Sequence, residues 1–380
     1  MIRITEKGTR RWRRGHPWIF RSDLADVPEG LEPGTLTPVG TVKGRRLGRS
    51  AWSDHAQLAL RRMPLMADEG DEAGWLRLLH AAIDRRDPNQ VCTRLVNGDA
   101  DGLPGLVVDR FGPGIGLQTV TQAAERFQAV TIKALRARLD SEVIALRNDT
   151  RSRAFEGLES VKKLVLGDHS QVSVDVDELR WVYDLMEGQK TGGYHDQLEN
   201  QRAAARMARG EALDCCSYEG GFALRLARAG CEVTALDSSG PALERLRGHA
   251  DRNNLSVETV EGNAFDVLRT YDREGRKFDT VILDPPPFAR ARKAIPAARR
   301  AYKELNLRAL KILRPGGLLV TCSCSAHVSG VDYERIVADA AVDAKRWARI
   351  VDRRGAPQDH PTLLLAPETD YLKAVFVEVD

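Results

Sequence analysis

A chain of 380 residues, 42% hydrophobic and 29% charged, has the balance of a globular protein that buries more than one core, so two or three domains are expected. Six cysteines are too few for a disulfide scaffold and show no paired CxxC spacing for zinc, which leaves reduced thiols and no metal as the expectation. Charge is uneven: residues 1–65 carry 13 Lys and Arg against 6 Asp and Glu, a net of +7, while the whole chain is only +3, and this marks the first segment as a docking surface for a polyanion.

Met1-Ile2-Arg3-Ile4 opens without an apolar h-region, and no stretch approaches the ~18 uninterrupted apolar residues of a membrane span, so no membrane association and a cytoplasmic location are expected. Residues 1–69 read as a small barrel, with β-like runs at 34–42, 47–52 and 57–60 between Gly and Pro punctuation. From Glu72 a helical pattern through Trp75, Leu76, Leu78, Leu79, Ala82 and Ile83 stops near Asp87-Pro88. Strand and turn signals at 95–98 and 105–112, a helix at 123–139 and a strand at 143–146 then define a small α+β domain over 70–175.

From residue 176 to 380 strands and helices alternate. Strands are predicted at 212–216, 232–237, 278–283 and 318–322, with helices at 220–229, around Ala242 to Ala250, and at 299–313. Phe278-Asp279-Thr280-Val281-Ile282-Leu283 is nearly continuous in apolar character, as a parallel strand buried on both faces should be. The alternation implies a doubly wound, Rossmann-like α/β sheet that binds ligands beyond its strand carboxyl ends.

Four of those ends carry compatible chemistry. Asp214 precedes Ser217-Tyr218-Glu219-Gly220-Gly221, where two glycines would let the backbone approach a ligand and start a helix. Asp237, followed by Ser238, ends the second strand, where an acid can accept hydrogen bonds from a ribose diol. Asn263-Ala264 follow the third, and the Asn carbonyl could hold an adenine amino group or simply form a turn. In Asp284-Pro285-Pro286-Pro287-Phe288 three prolines stiffen a loop that presents an acid and an aromatic, a fit for a planar base stacked on Phe288 and bonded at its edge by Asp284. Finally, Thr321-Cys322-Ser323-Cys324-Ser325 leaves its strand as a polar run, which favours an exposed thiol over a packed one. A thiolate there could add to C6 of cytosine and make C5 nucleophilic enough to take a methyl group.

The run from Gly188-Gln189-Lys190-Thr191-Gly192 through Tyr194, Asp196-Gln197 and Glu199-Asn200, with Asp214, Ser217-Tyr218, Gly220-Gly221-Phe222, Val281-Ile282-Leu283-Asp284-Pro285-Pro286 and Thr321-Cys322-Ser323-Cys324-Ser325, resembles the PUA-containing class I methyltransferases that modify cytosine C5 in large-subunit ribosomal RNA. Arg13-Arg14-Gly15-His16-Pro17-Trp18 is similar to that family's PUA opening, and Arg147-Asn148-Asp149 with Glu156-Gly157-Leu158 to its central domain. The resemblance implies S-adenosylmethionine (SAM) as methyl donor, 23S ribosomal RNA as partner, and a homodimer as an assembly to consider. It implies Cys322 as nucleophile, with Asp284 and Cys324 assisting. Cofactor contacts would come from Gln189, Lys190, Thr191, Tyr194, Asp196, Asp214, Ser217, Tyr218, Gly220, Gly221, Asp237, Ser238, Asn263, Ala264 and Asp284, and RNA contacts from Phe288, Arg13, Arg14, His16 and Trp18. The chain departs from the family at Gly193 and Leu198. It also lacks a Pro-Cys dipeptide at Asp284-Pro285-Pro286, so product release falls to Asp284, Cys324 or water. Two rivals stand beside this reading: a methyltransferase of the same fold acting on a purine or exocyclic amine, and a non-catalytic ribosome-assembly factor.

Overall fold

The computed structural model describes residues 1–63, 70–289 and 291–380. By its internal contacts the chain forms two units, Met1–His195 with Gln358–Pro367, and Asp196–Pro357 with Glu368–Asp380.

The first unit opens with β1 (Ile2–Ile4), α1 (Glu6–Arg13), β2 (Trp18–Phe20), β3 (Leu24–Asp26), β4 (Leu36–Thr41), β5 (Arg46–Trp52) and β6 (Leu58–Arg62). The strands form one sheet in the order β2-β6-β5-β4-β1-β3 over Ile2, Ile4, Trp12, Ile19, Val39 and Leu60. Helix α1 was not legible in the sequence because Trp12 is its one large buried side chain; Thr5 caps it by accepting from Gly8 N at 3.2 Å. The domain border expected at residue 69 lies outside the described residues.

Next come α2 (Asp71–Asp84), β7 (Cys92–Asn97), β8 (Leu106–Phe111), β9 (Gly114–Thr119), α3 (Gln122–Arg126), α4 (Gln128–Arg138), β10 (Val143–Asn148) and β11 (Val161–Leu166). The sheet β11-β10-β9-β8-β7 packs on a core that includes Trp75, Leu79, Leu106, Val108, Leu117, Leu135 and Ile144. The single helix expected over 123–139 is interrupted at Phe127, whose ring stacks on Trp75 at 4.7 Å. A hairpin, β12 (Gln171–Val176) and β13 (Leu179–Asp184), then straddles the border expected at 175, and the division between the units falls at 195/196 instead. Residues 358–367 join the first unit because Asp359 accepts from Thr93 Oγ1 at 2.9 Å and Arg94 N at 2.8 Å.

The second unit contains α5 (Leu198–Met207), β14 (Glu211–Cys215), α6 (Gly221–Arg228), β15 (Glu232–Asp237), α7 (Gly240–Arg252), β16 (Val257–Glu261), α8 (Ala264–Glu274), β17 (Phe278–Leu283), α9 (Ile295–Ile312), β18 (Leu313–Ser323), α10 (Gly330–Ala344), β19 (Ala348–Arg354) and β20 (Lys373–Val379). Its sheet runs β16-β15-β14-β17-β18-β20-β19, with the first five strands parallel and β20 antiparallel to both of its neighbours, β18 and β19. Pro315-Gly316-Gly317, expected as a turn, lies inside β18, where the pairing with β17 shifts register. Residues of α5, α6 and α7 cover one face, with Leu318, Val320 and Cys322 of β18 pointing to them. Residues of α8, α9 and α10 cover the other, with Leu319. Successive strands step outward from β14 to β16, then resume on its other side with β17, so β14 and β17 flank the switch point where such sheets bind ligands. No helix among the described residues is long and apolar enough to cross a membrane.

Candidate active site

The turn after β14 is backbone-strained. Cys216 (φ 63°) and Tyr218 (φ 49°) adopt the left-handed region that side chains disfavour, and Gly220 (φ 91°) follows. Asp214 Oδ2 accepts from Ala223 N at 2.9 Å, while Asp214 Oδ1 and the Ser217 hydroxyl are buried with no hydrogen-bond partner among the described residues. Burial, and then the charges of Asp284 and Asp237, push the Asp214 carboxyl up to about 8. Asp237 Oδ2 accepts from Tyr218 N and Oδ1 from Ser239 N, each at 2.9 Å, which ties the turn to the head of α7. Buried orphan acceptors beside a strained turn fit a ligand that brings positive charge and hydroxyl donors.

Several expected contacts have a different basis. A Cβ on Gly220 would lie 2.8 Å from Leu246 and one on Gly221 2.3 Å from Gln201, so close protein neighbours already call for glycine at both positions. The Asn263 carbonyl is used as the cap of α8, accepting from Phe265 N at 2.9 Å, with Ala264 as the first helical residue. Ser238 is exposed beside Asp237. In the first unit, Thr191 donates to the buried Asp109 at 2.6 Å, Tyr194 donates to Gln189, and Lys190 Nζ sits 4.3 Å from the Tyr194 ring centre. Asp196, the first residue of the second unit, is buried and accepts from Tyr371 OH at 2.7 Å.

The polar run at the end of β18 overturns the expectation of an exposed thiol. Thr321, Ser323 and Ser325 are fully buried on the side of α9 and α10, where two tyrosines satisfy them. Tyr302 OH accepts from Ser323 Oγ at 3.0 Å and lies 2.9 Å from Ser325 Oγ; Tyr333 OH lies 2.6 Å from Thr321 Oγ1 and donates to Cys322 O at 2.8 Å. Strand alternation then turns Cys322 to the opposite face, 0% exposed. Burial, and the carboxylate of Asp284 after it, hold this thiol well above its ordinary range, so it rests protonated. Cys324 is half-buried past the strand end, its Sγ 3.7 Å from Pro285 O. None of the six cysteines is in a disulfide bond.

The rigid loop after β17 is braced from behind: Ala289 N donates to Ser325 Oγ at 3.1 Å. Phe288 is half-buried and packs on Tyr302 (4.7 Å between ring centres) and Phe265 (6.0 Å), so it is an anchor for the loop before it is a stacking platform. Asp284 accepts at Oδ1 from Gln197 Nε2 at 2.8 Å, and Gln197 Oε1 accepts from Asn200 Nδ2 at 2.7 Å. Sequence reasoning gave Gln197 no role of its own; a buried amide immediately ahead of a helix has no signal in spacing or composition.

At the end of α1, in the basic first segment, Arg13 and Arg14 are exposed. His16 Nδ1 accepts from Trp18 N at 3.2 Å, and Trp18 Nε1 donates to Asp99 Oδ1 at 3.3 Å, so these two side chains brace the first unit internally.

Residues 2–63 match the PUA-like domain family and residues 212–317 the methyltransferase domain family. The ribosomal RNA large subunit methyltransferase I of Erwinia tasmaniensis is 37% identical over 95% of this chain and 94% of its own length. The protein of the same name from Shewanella denitrificans is 34% identical over 100% and 99%. Among solved structures, SMU.776 in complex with SAH superposes with a TM-score of 0.84 at 17% identity, and a Streptococcus mutans protein described as a SAM-dependent methyltransferase with 0.82 at 16%, each over 100% of both chains. At those identities the likeness concerns the fold.

Proposed function

This chain belongs to the ribosomal RNA large subunit methyltransferase I family, and from that premise we propose that it transfers a methyl group from SAM to C5 of a cytosine in 23S ribosomal RNA through a covalent bond between Cys322 and C6. The observation that carries the chemistry is the convergence of a buried cysteine, Cys322, and an acid, Asp284, on the carboxyl ends of β18 and β17.

The orphaned Asp214 Oδ1 and Ser217 hydroxyl fit SAM, which carries a cationic sulfonium, an ammonium group and a ribose diol. When bound, SAM supplies an electrophilic methyl group. Asp214 would compensate its positive charge and Asp237 would accept from the diol. Exchanging Asp237 for Asn keeps the side chain's size and one acceptor but removes its charge, and should weaken SAM binding by about 1–3 kcal/mol. Calorimetry reads this directly, and an unchanged affinity would put the diol elsewhere.

Cys322 adds to C6 as its sulfur gives its proton to the Asp284 carboxylate. The C5=C6 electron pair shifts to C4=C5, and the C4=N3 pair moves onto N3, which takes a proton from Asp284. C5 would then be the nucleophile toward the methyl group that bound SAM supplies; water would take the C5 proton as C5=C6 re-forms and the sulfur leaves, and the N3 proton would return through Asp284 to the departing thiolate. The excess positive charge of residues 1–65, with Arg13 and Arg14 exposed at the end of α1, supports an RNA-docking role for this first segment. Incubation with tritiated SAM and 23S RNA, followed by nucleoside analysis, tests the reading: label in 5-methylcytidine is expected. Label in a methylated purine, or none at all, would favour one of the rivals.

A further inference from the structure

Gln197 is 3% exposed, and both ends of its amide are committed. Asn200 Nδ2 donates to Gly355 O at 3.1 Å as well as to Gln197 Oε1 at 2.7 Å. A backbone carbonyl can only accept, so Asn200 must present its nitrogen there, and Gln197 must meet it with oxygen. The Gln197 nitrogen is thereby directed at Asp284 Oδ1, 2.8 Å away, and the amide cannot flip without setting two N–H groups against each other. A consequence follows for Asp284: its Oδ1 is held as an acceptor, so a proton carried by this acid sits on Oδ2.

The geometry points to Gln197 as a positioning residue that clamps Asp284 through one N–H and so holds the acid in a fixed place beside the nucleophile strand that carries Cys322. This rests on the cytosine reading above and deepens it. The groups that act on Cys322 are otherwise adverse to an anion: burial first, then the charges of Asp284, Cys324 and Asp214, with the Gln197 hydrogen bond as the influence that lowers the thiol. A donor aimed at the place where negative charge develops favours the addition step over the resting thiol. The S–H proton passes to Asp284 Oδ2 as the S–C6 bond forms, and N3 receives a proton from that same oxygen.

Gln197→Met keeps the length and bulk of the side chain without the amide, and Gln197→Glu keeps its shape while replacing the donor by an acceptor. With 5-fluorocytosine RNA, both variants should form the covalent adduct on the order of 100-fold more slowly than wild type, the scale for loss of one such donor. SAM affinity and KM for RNA should stay within about twofold, which separates this loss from misfolding. The pH profile of adduct formation should move to higher pH in Gln197→Met, a shift that a purely structural role would not produce. Wild-type rates and profiles in both variants overturn the proposal, as does a rate loss with an unshifted profile. A wild-type protein that forms no adduct overturns the cytosine reading itself, a result distinct from variants that trap as fast as a competent wild type.

Discussion

Cys322→Ala is expected to abolish methyl transfer, with a loss on the order of 10^6-fold, the scale for removal of a covalent nucleophile. It should also abolish trapping on RNA carrying 5-fluorocytosine, whereas Cys324→Ala should still trap. The fluorine at C5 cannot leave as a proton does, so an adduct formed through C6 persists and is read on a denaturing gel. Strand parity alone does not separate the two thiols, since residues two apart share a face. The resemblance to the family favours Cys322, which lies within β18, paired with Ala374 and in a side-chain cluster with Ile282 of β17, whereas Cys324 lies past the strand end with its Sγ directed to Pro285 O. Folding of each variant is verified by its SAM affinity. Trapping that survives Cys322→Ala and disappears in Cys324→Ala would reverse the assignment, and trapping that survives both would remove thiol catalysis.

Asp214 should make both stability and cofactor affinity depend on pH. Its carboxyl is pushed up to about 8 in the folded protein, first by burial, against about 3.9 in an unfolded chain. The folded state therefore holds the proton more tightly. The resulting stabilisation is complete below about pH 4 and is lost as pH rises toward 8, by roughly 5 kcal/mol from this group if no ligand intervenes. Asp214→Asn should flatten that component, so the stability difference between wild type and variant, followed by urea unfolding, should favour wild type more at pH 5 than at pH 8. Because SAM brings positive charge, its binding should release the proton, and wild-type affinity should rise by up to about tenfold per pH unit between pH 6 and 8. Equal pH dependence of SAM binding in the two proteins would sink this account.

Much of the architecture is legible without coordinates because it is written in local patterns. The continuous apolar run Phe278–Leu283 became the buried strand β17 with the same bounds, and the apolar spacing of Ala242, Leu243, Leu246 and Ala250 became the inner face of α7. Acids at strand ends were equally visible: Asp214, Asp237 and Asp284 lie at or just beyond the ends of β14, β15 and β17. What escaped has little local signal. Helix α1 has too few apolar residues for a stripe, and β19 and β20 pair antiparallel at the far edge of a sheet whose alternating pattern had ended.

By itself, then, the sequence determined which side chains stand at the carboxyl ends of the parallel strands, because strand and helix periodicity is a property of consecutive residues. Only the tertiary structure decided what those side chains face. Thr321, Ser323 and Ser325 look like a strand emerging into solvent until Tyr302 and Tyr333, brought from α9 and α10, satisfy their hydroxyls in the interior. Phe288 looks like a platform until Tyr302 and Phe265 pack against it, and Gln197 looks ordinary until Asn200 and Asp284 fix its amide. The physical reason is common to all three: whether a polar or aromatic group is available for chemistry depends on its hydrogen-bond and packing partners, and here those partners are supplied by other elements of the fold, where no window of neighbouring residues records them.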